Sequence, residues 1–129
     1  MPTYPKWYAT QYGQVSGVAD MKKEIFARGP ITCGMMVTNA FEEYTGGVYS
    51  EKSFLPRINH AISVNGWGVD KQTNTEYWVV RNSWGSQFGE NGFFRIKMYK
   101  DNLGIDSNPC YWAVPSATPS EDALEISLE

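Results

Sequence analysis

Two runs rich in apolar and β-branched residues, His60–Val69 and Thr75–Arg81, flank the polar string Asp70-Lys71-Gln72-Thr73-Asn74. Runs of this kind separated by a few turn-forming residues predict an antiparallel hairpin. A chain with so long a hairpin at its centre is built around a sheet, and every other element must pack on it or pair with it.

The flanking segments add strands and little helix. Ser16 reads as a helix cap, and Val18, Met21, Ile25 and Phe26 share one face of a predicted helix over 18–28. Gly29-Pro30 ends it. Ile31–Val37 reads as a buried strand. Phe41, Tyr44 and Gly46-Gly47 make a turn or short helical segment before Val48-Tyr49. A Gly-punctuated loop over 85–92 leads to a strand over 93–99, and Cys110–Val114 is a last short strand. The expected fold is mainly β (α+β), a small antiparallel β-barrel or curled sheet with one short helix. Residues 1–15, with Tyr4, Trp7, Tyr8 and Tyr12, are expected as an aromatic N-terminal arm. Residues 16–114 form the domain. Residues 115–129, with Glu121, Asp122, Glu125 and Glu129, are expected as a flexible acidic tail, although Leu124, Ile126 and Leu128 alternate as a docking strand would.

Bulk properties exclude several function classes. At 129 residues the chain has the length of one domain. Its net charge of −3 and lack of a basic patch argue against nucleic-acid binding. No apolar run approaches the ~18 residues of a membrane span, and no signal peptide opens the chain. Neither a metal nor another cofactor is expected. The two cysteines, Cys33 and Cys110, fit equally one disulfide or two buried thiols. No Asn-X-Ser/Thr acceptor occurs.

His60 is the single histidine. A lone histidine on an apolar strand is usually a packed core residue, and Asn82 or Trp84 alone is ordinary loop chemistry. Their arrangement changes the reading. If His60 opens one hairpin strand and Asn82 follows the other, the two side chains meet at one end. Asn82 could then fix the imidazole, as the third member of a catalytic triad does. A neutral orienter suits a thiolate, because the thiolate–imidazolium pair already balances its own charge.

The strings His60-Ala61-Ile62-Ser63-Val64-Asn65-Gly66-Trp67-Gly68 and Tyr77-Trp78-Val79-Val80-Arg81-Asn82-Ser83-Trp84-Gly85 resemble the histidine and asparagine motifs of papain-family cysteine proteases. Gly29-Pro30-Ile31-Thr32-Cys33-Gly34-Met35-Met36 and Tyr44-Thr45-Gly46-Gly47-Val48-Tyr49 match further blocks in order, in wording similar to the cathepsin X branch. The resemblance covers roughly residues 4 to 114, the C-terminal half of such an enzyme, and implies its right-hand β-barrel lobe. It implies that His60 is the catalytic acid and base, that Asn82 orients it, and that Trp84 shields their bond and walls the leaving-group side of the cleft. Gly34, Met36, Ile58 and Ala61 would lie near a substrate pocket, and Cys33 would pair with Cys110. The substrate would be a peptide or protein, and the location lysosomal or secreted.

The departures are as informative. The family's Cys-Gly-Ser/Ala-Cys-Trp signature is missing. Cys33 lies in a predicted core strand, and Cys110 follows the histidine, the wrong order for the nucleophile. The chain is therefore expected to need a helical N-terminal lobe carrying the thiol and oxyanion hole, from the same precursor or a separate chain, and to be inactive alone. The face around His60 and Trp84 is expected to be apolar and exposed. The alternative is a non-catalytic lobe reused for binding or assembly, with the acidic tail in its favour.

Overall fold

The structure is a computed structural model that describes residues 7–116. In chain order it contains β1 (Ala9–Val15), α1 (Val18–Arg28), β2 (Ile31–Met35), α2 (Asn39–Glu42), β3 (Val48–Tyr49), β4 (His60–Asp70), β5 (Thr75–Arg81), β6 (Phe93–Lys97) and β7 (Cys110–Pro115). The strands form one sheet in the order β1-β7-β2-β4-β5-β6-β3. Every pairing is antiparallel except that of β3 with β6. The sheet is open, with β1 and β3 at its edges. The architecture is mainly β (α+β), as expected, but it carries two helices and does not close into a barrel.

The central hairpin pairs from Asp70↔Thr75 down to Ser63↔Arg81. An irregularity between Val64 and Gly66 puts Asn65 in a bulge. The segment expected as an irregular aromatic arm contains β1, which pairs with β7 from Ala9↔Pro115 to Val15↔Cys110. Tyr4 and the acidic tail beyond residue 116 lie outside the described residues.

The N-cap of helix α1 is Gly17, with φ of 83° and no side-chain cap bond, rather than Ser16. Gly17 accepts from the Met21 amide at 2.9 Å. Met21 and Ile25 face the core, and Asp20 and Arg28 sit at the helix ends that suit their charges. Phe26 corrects the sequence expectation. It follows Ile25 by one residue, about 100° around the helix, which carries it off the buried stripe to 87% exposure. The Arg28 guanidinium lies 3.8 Å from the Trp112 ring and so clamps the helix to β7.

The core gathers Trp78, Phe41, Phe94, Met21, Val64, Val80 and Ile96 under the inner face of the sheet. Its polar anchor is Asp106, which accepts from Trp78 Nε1 at 3.0 Å, the Tyr99 amide at 2.9 Å and Asn102 Nδ2 at 2.8 Å. These bonds tie the left-handed turns at Tyr99, Asp101 and Leu103 to β5. Cys33 and Cys110 form a disulfide with Cα atoms 4.4 Å apart. It crosses between β2 and β7, which share the single register pair Thr32↔Tyr111. The covalent link thus fastens the thinnest seam of the sheet.

Candidate active site

His60 and Asn82 belong to the two arms of the hairpin and meet at its open end. His60 opens β4 opposite Met35. Asn59 fixes its approach, since its Oδ1 accepts the Val37 amide at 2.8 Å and its Nδ2 donates to the Val37 carbonyl at 3.4 Å. Asn82 follows β5, and its amide donates to the Gly92 carbonyl at 3.0 Å. The loop between Ser83 and Gly92 closes on itself through Phe88 N–H to Gly85 O at 3.2 Å and Gly92 N–H to Phe88 O at 2.7 Å. Gly85 and Gly92 take φ of 96° and 90°, which side-chain-bearing residues rarely adopt.

His60 Nε2 lies 2.9 Å from Asn82 Oδ1. The same oxygen accepts the Ser83 amide at 2.8 Å, which fixes the end of the carboxamide that faces the ring. An amide oxygen can only accept, so Nε2 carries the hydrogen and the neutral ring keeps its lone pair on Nδ1. Asn82 is buried, and its Nδ2 has no hydrogen-bond partner among the described residues. An orphaned donor of this kind costs about 1–3 kcal/mol.

Trp84 covers this pair, with ring centroids 5.1 Å from His60 and planes inclined by 34°. It is held from behind by Phe41 at 5.8 Å and Phe88 at 4.8 Å. Gly34 and Ala61 stand opposite each other in the β2–β4 ladder. A Cβ on Gly34 would clash with Ile58 Cγ2, so Ile58 leans directly over the glycine. Met36 is half-buried against the core and donates its amide to the Leu103 carbonyl at 2.8 Å. Gly34, Ile58 and Ala61 are therefore neighbours beside His60, with Ala61 next to it on β4, Ile58 two residues before it and Gly34 across from Ala61 on β2.

The surface beside the pair mixes polar and apolar groups. Thr32, Ser63, Arg81 and Ser83 line a shallow depression with Ala61 and Asn82. The register places Tyr111, Thr32, Ser63 and Arg81 in one row across β7, β2, β4 and β5. Exposed apolar side chains flank this polar row, with Phe54, Leu55 and Ile58 on one loop and Tyr12 on the edge strand β1. The outer face of a central sheet carries the polar half of each alternation, which is why the row is polar.

A supporting residue had no clear signal in the sequence. Arg95 grips Glu90 through Nε at 3.0 Å and Nη2 at 2.8 Å, and Glu90 Oε1 accepts the Gly47 amide at 3.0 Å. Glu90 thus joins the loop behind Trp84 to the Gly46-Gly47 turn. Hydrogen bonds from Arg95 first, then the Gly47 amide, hold its carboxyl below the usual carboxylate range, against the opposing effect of burial. A depressed value in the folded state stabilises above the unfolded value of ~4.3 and is lost as pH falls through the lower folded value. Urea unfolding at pH 6 and pH 3 should therefore show an acid loss that is smaller in Glu90→Gln by about 0.5–1 kcal/mol, the modest size of a partly exposed pair. Equal acid losses in both proteins would remove this role.

The family model for "Papain family cysteine protease" matches residues 3–113. Cathepsin Z of Onchocerca volvulus is 47% identical over 121 residues, 88% of this chain and 39% of that protein. Cathepsin B-like cysteine proteinase 1 of Ostertagia ostertagi is 35% identical over 106 residues, 81% of this chain and 30% of that protein. Among solved structures, the bromelain protease from Ananas comosus aligns with a TM-score of 0.72 at 27% identity, over 83% of this chain and 51% of that one. Digestive procathepsin L 3 of the Tenebrio molitor larval midgut aligns with a TM-score of 0.73 at 27% identity, over 82% and 35%. The chain spans less than half the length of the curated relatives it matches.

Proposed function

The chain belongs to the papain family of cysteine proteases, and from that premise we propose that it is the C-terminal half of a cathepsin X-like (cathepsin Z-like) cysteine peptidase. In this reading it supplies the acid and base but not the nucleophile. Its two cysteines are joined to each other, so it holds no free thiol. A helical N-terminal lobe would bring the thiolate, and peptides or proteins would be the substrates. The observation that carries the reading is the 2.9 Å bond from His60 to Asn82 under the Trp84 ring.

The chemistry follows from that bond. Asn82 holds Nε2–H, so Nδ1 is the nitrogen that exchanges protons with the reacting groups. A thiolate attacks the peptide carbonyl, and imidazolium His60 donates its Nδ1 proton to the departing amine. Neutral His60 then takes a proton from water, whose hydroxide oxygen attacks the thioester and releases the acid and the thiolate. Trp84 keeps bulk water from competing for the Nε2–H bond. Gly34, Ile58 and Ala61, with Met36 behind them, offer an apolar recess for a substrate side chain. The polar row with apolar flanks suits a seat for the second lobe, because contacts between domains of one protein are mixed in this way. The disulfide fits an oxidising compartment, secreted or lysosomal. The rival reading, a non-catalytic assembly module, has no use for an oriented imidazole.

The test is reconstitution. The chain alone should hydrolyse no peptide and take up no thiol-directed epoxide. Co-refolded with the N-terminal lobe of a cathepsin Z relative, it should form a one-to-one complex that does both. A stable complex without hydrolysis would favour the assembly module instead.

A further inference from the structure

Between β3 and β4 the chain runs through an irregular loop whose tip is Phe54-Leu55. Phe54 is 92% exposed and Leu55 is 75% exposed. Leu55 also takes φ of 49°, a left-handed backbone that bulky residues rarely adopt. The loop is fixed at its base. The Glu51 amide donates to the Asp101 carbonyl at 2.8 Å, and Pro56 lies against Gly104. Two large apolar side chains are thus held out in water on a strained backbone, the kind of outlier that points to a use.

The free charges around this tip have one sign. Five of the ten described lysines and arginines stand in ion pairs, and Lys52, Arg57, Lys71, Arg81 and Lys100 do not. Lys52 and Arg57 bracket the tip, and Lys100 precedes Asp101 in the turn on which the loop leans. The acids of the same region are engaged. Glu51 accepts from Thr38 and Tyr49, and Asp101 pairs with Lys97.

An apolar point among unpaired cations has the chemistry of a membrane contact, in which acyl chains take the apolar groups and anionic headgroups take the charges. We propose that this loop inserts its Phe54-Leu55 tip into an anionic lipid surface, with Lys52, Arg57 and Lys100 against the headgroups. Two residues do not span a bilayer, so the contact is interfacial. A protein partner suits the tip less well. The side chains that carry a protein interface sit among neighbours that exclude water, and side chains this exposed have no such walls. The inference stands independently of the catalytic pair.

Flotation of the whole chain with vesicles tests it, comparing phosphatidylcholine that carries about 30% phosphatidylserine with phosphatidylcholine alone. The anionic vesicles should bind at least about tenfold more tightly, since each cation near such a surface contributes about fivefold. Salt at 0.5 M should remove most of the difference. Phe54→Ser/Leu55→Ser should weaken binding to the anionic vesicles at least about tenfold through the lost apolar burial. Its thermal unfolding should match the parent, because both side chains already lie in water. Lys52→Gln/Arg57→Gln should weaken binding about fivefold per charge, whereas Lys71→Gln, in the turn at the other end of the β4–β5 hairpin, should not weaken it. Equal binding to both vesicles would overturn the proposal, as would a serine variant that binds like the parent or a Lys71→Gln variant that loses as much as the loop variant. The one-to-one complex with the N-terminal lobe of a cathepsin Z relative should bind the same vesicles. A complex that does not bind them would give the tip to that lobe instead, and failure to form the complex would leave the flotation of the chain alone to decide.

Discussion

Replacing His60 with alanine in the reconstituted peptidase should lower kcat/KM by at least about 10³-fold. The thiolate would lose the cation that stabilises it and the leaving amine would lose its proton donor, and no other side chain of this chain can replace an imidazole at that place. The fold should hardly notice. Asn82 Oδ1 would still accept the Ser83 amide at 2.8 Å, and thermal unfolding should stay within about 1 kcal/mol of the parent. Asn82→Ala should be milder in rate, about 10²-fold, because it disturbs only the position of the ring. Single-turnover hydrolysis of a fluorogenic peptide separates the two variants. A His60→Ala enzyme that kept a tenth of the parental rate would end the proposal that this histidine is the acid and base.

The largest stability effect should come from the disulfide. Its cysteines are 77 positions apart, and freeing a loop of that length costs about 3–5 kcal/mol on the chain-entropy model. The double variant Cys33→Ala/Cys110→Ala should therefore melt about 10–25 °C lower in a chain of this size. The geometry concentrates the effect, because the bond bridges strands that otherwise share one register pair. Scanning calorimetry of the oxidised protein and the double variant measures it. A difference below about 1 kcal/mol would mean that the core alone fastens β2 to β7.

The sequence carried the central hairpin because its two signals agreed, with β-branched and aromatic runs on both sides of a polar turn. The His60–Asn82 contact followed from the same register. Other features were hidden for physical reasons. Phe26 is as apolar as Ile25, and only the angle around the helix axis separates the exposed side chain from the buried one. Strand β1 has no apolar alternation because it lies at a sheet edge with mostly exposed side chains, and its partner β7 is remote in sequence. The N-cap of α1 at Gly17 instead of Ser16 reflects a left-handed backbone that no local pattern announces. The Glu90–Arg95–Gly47 link joins segments that only the folded sheet brings together. The polar row beside His60 could not be anticipated either, since it is assembled one residue per strand from four strands.

The placement of the disulfide has a mechanical corollary. The Ser116 amide donates to the Tyr8 carbonyl at 2.6 Å, so the two ends of the β1–β7 ladder lie side by side. Tension applied there would unzip the ladder one rung at a time, from Ala9↔Pro115 inward. The last rung is Val15↔Cys110, where the pull reaches sulfur. Peeling along β7 is arrested at that residue, and the force passes through a covalent bond into β2 before it can reach the strand that bears the imidazole.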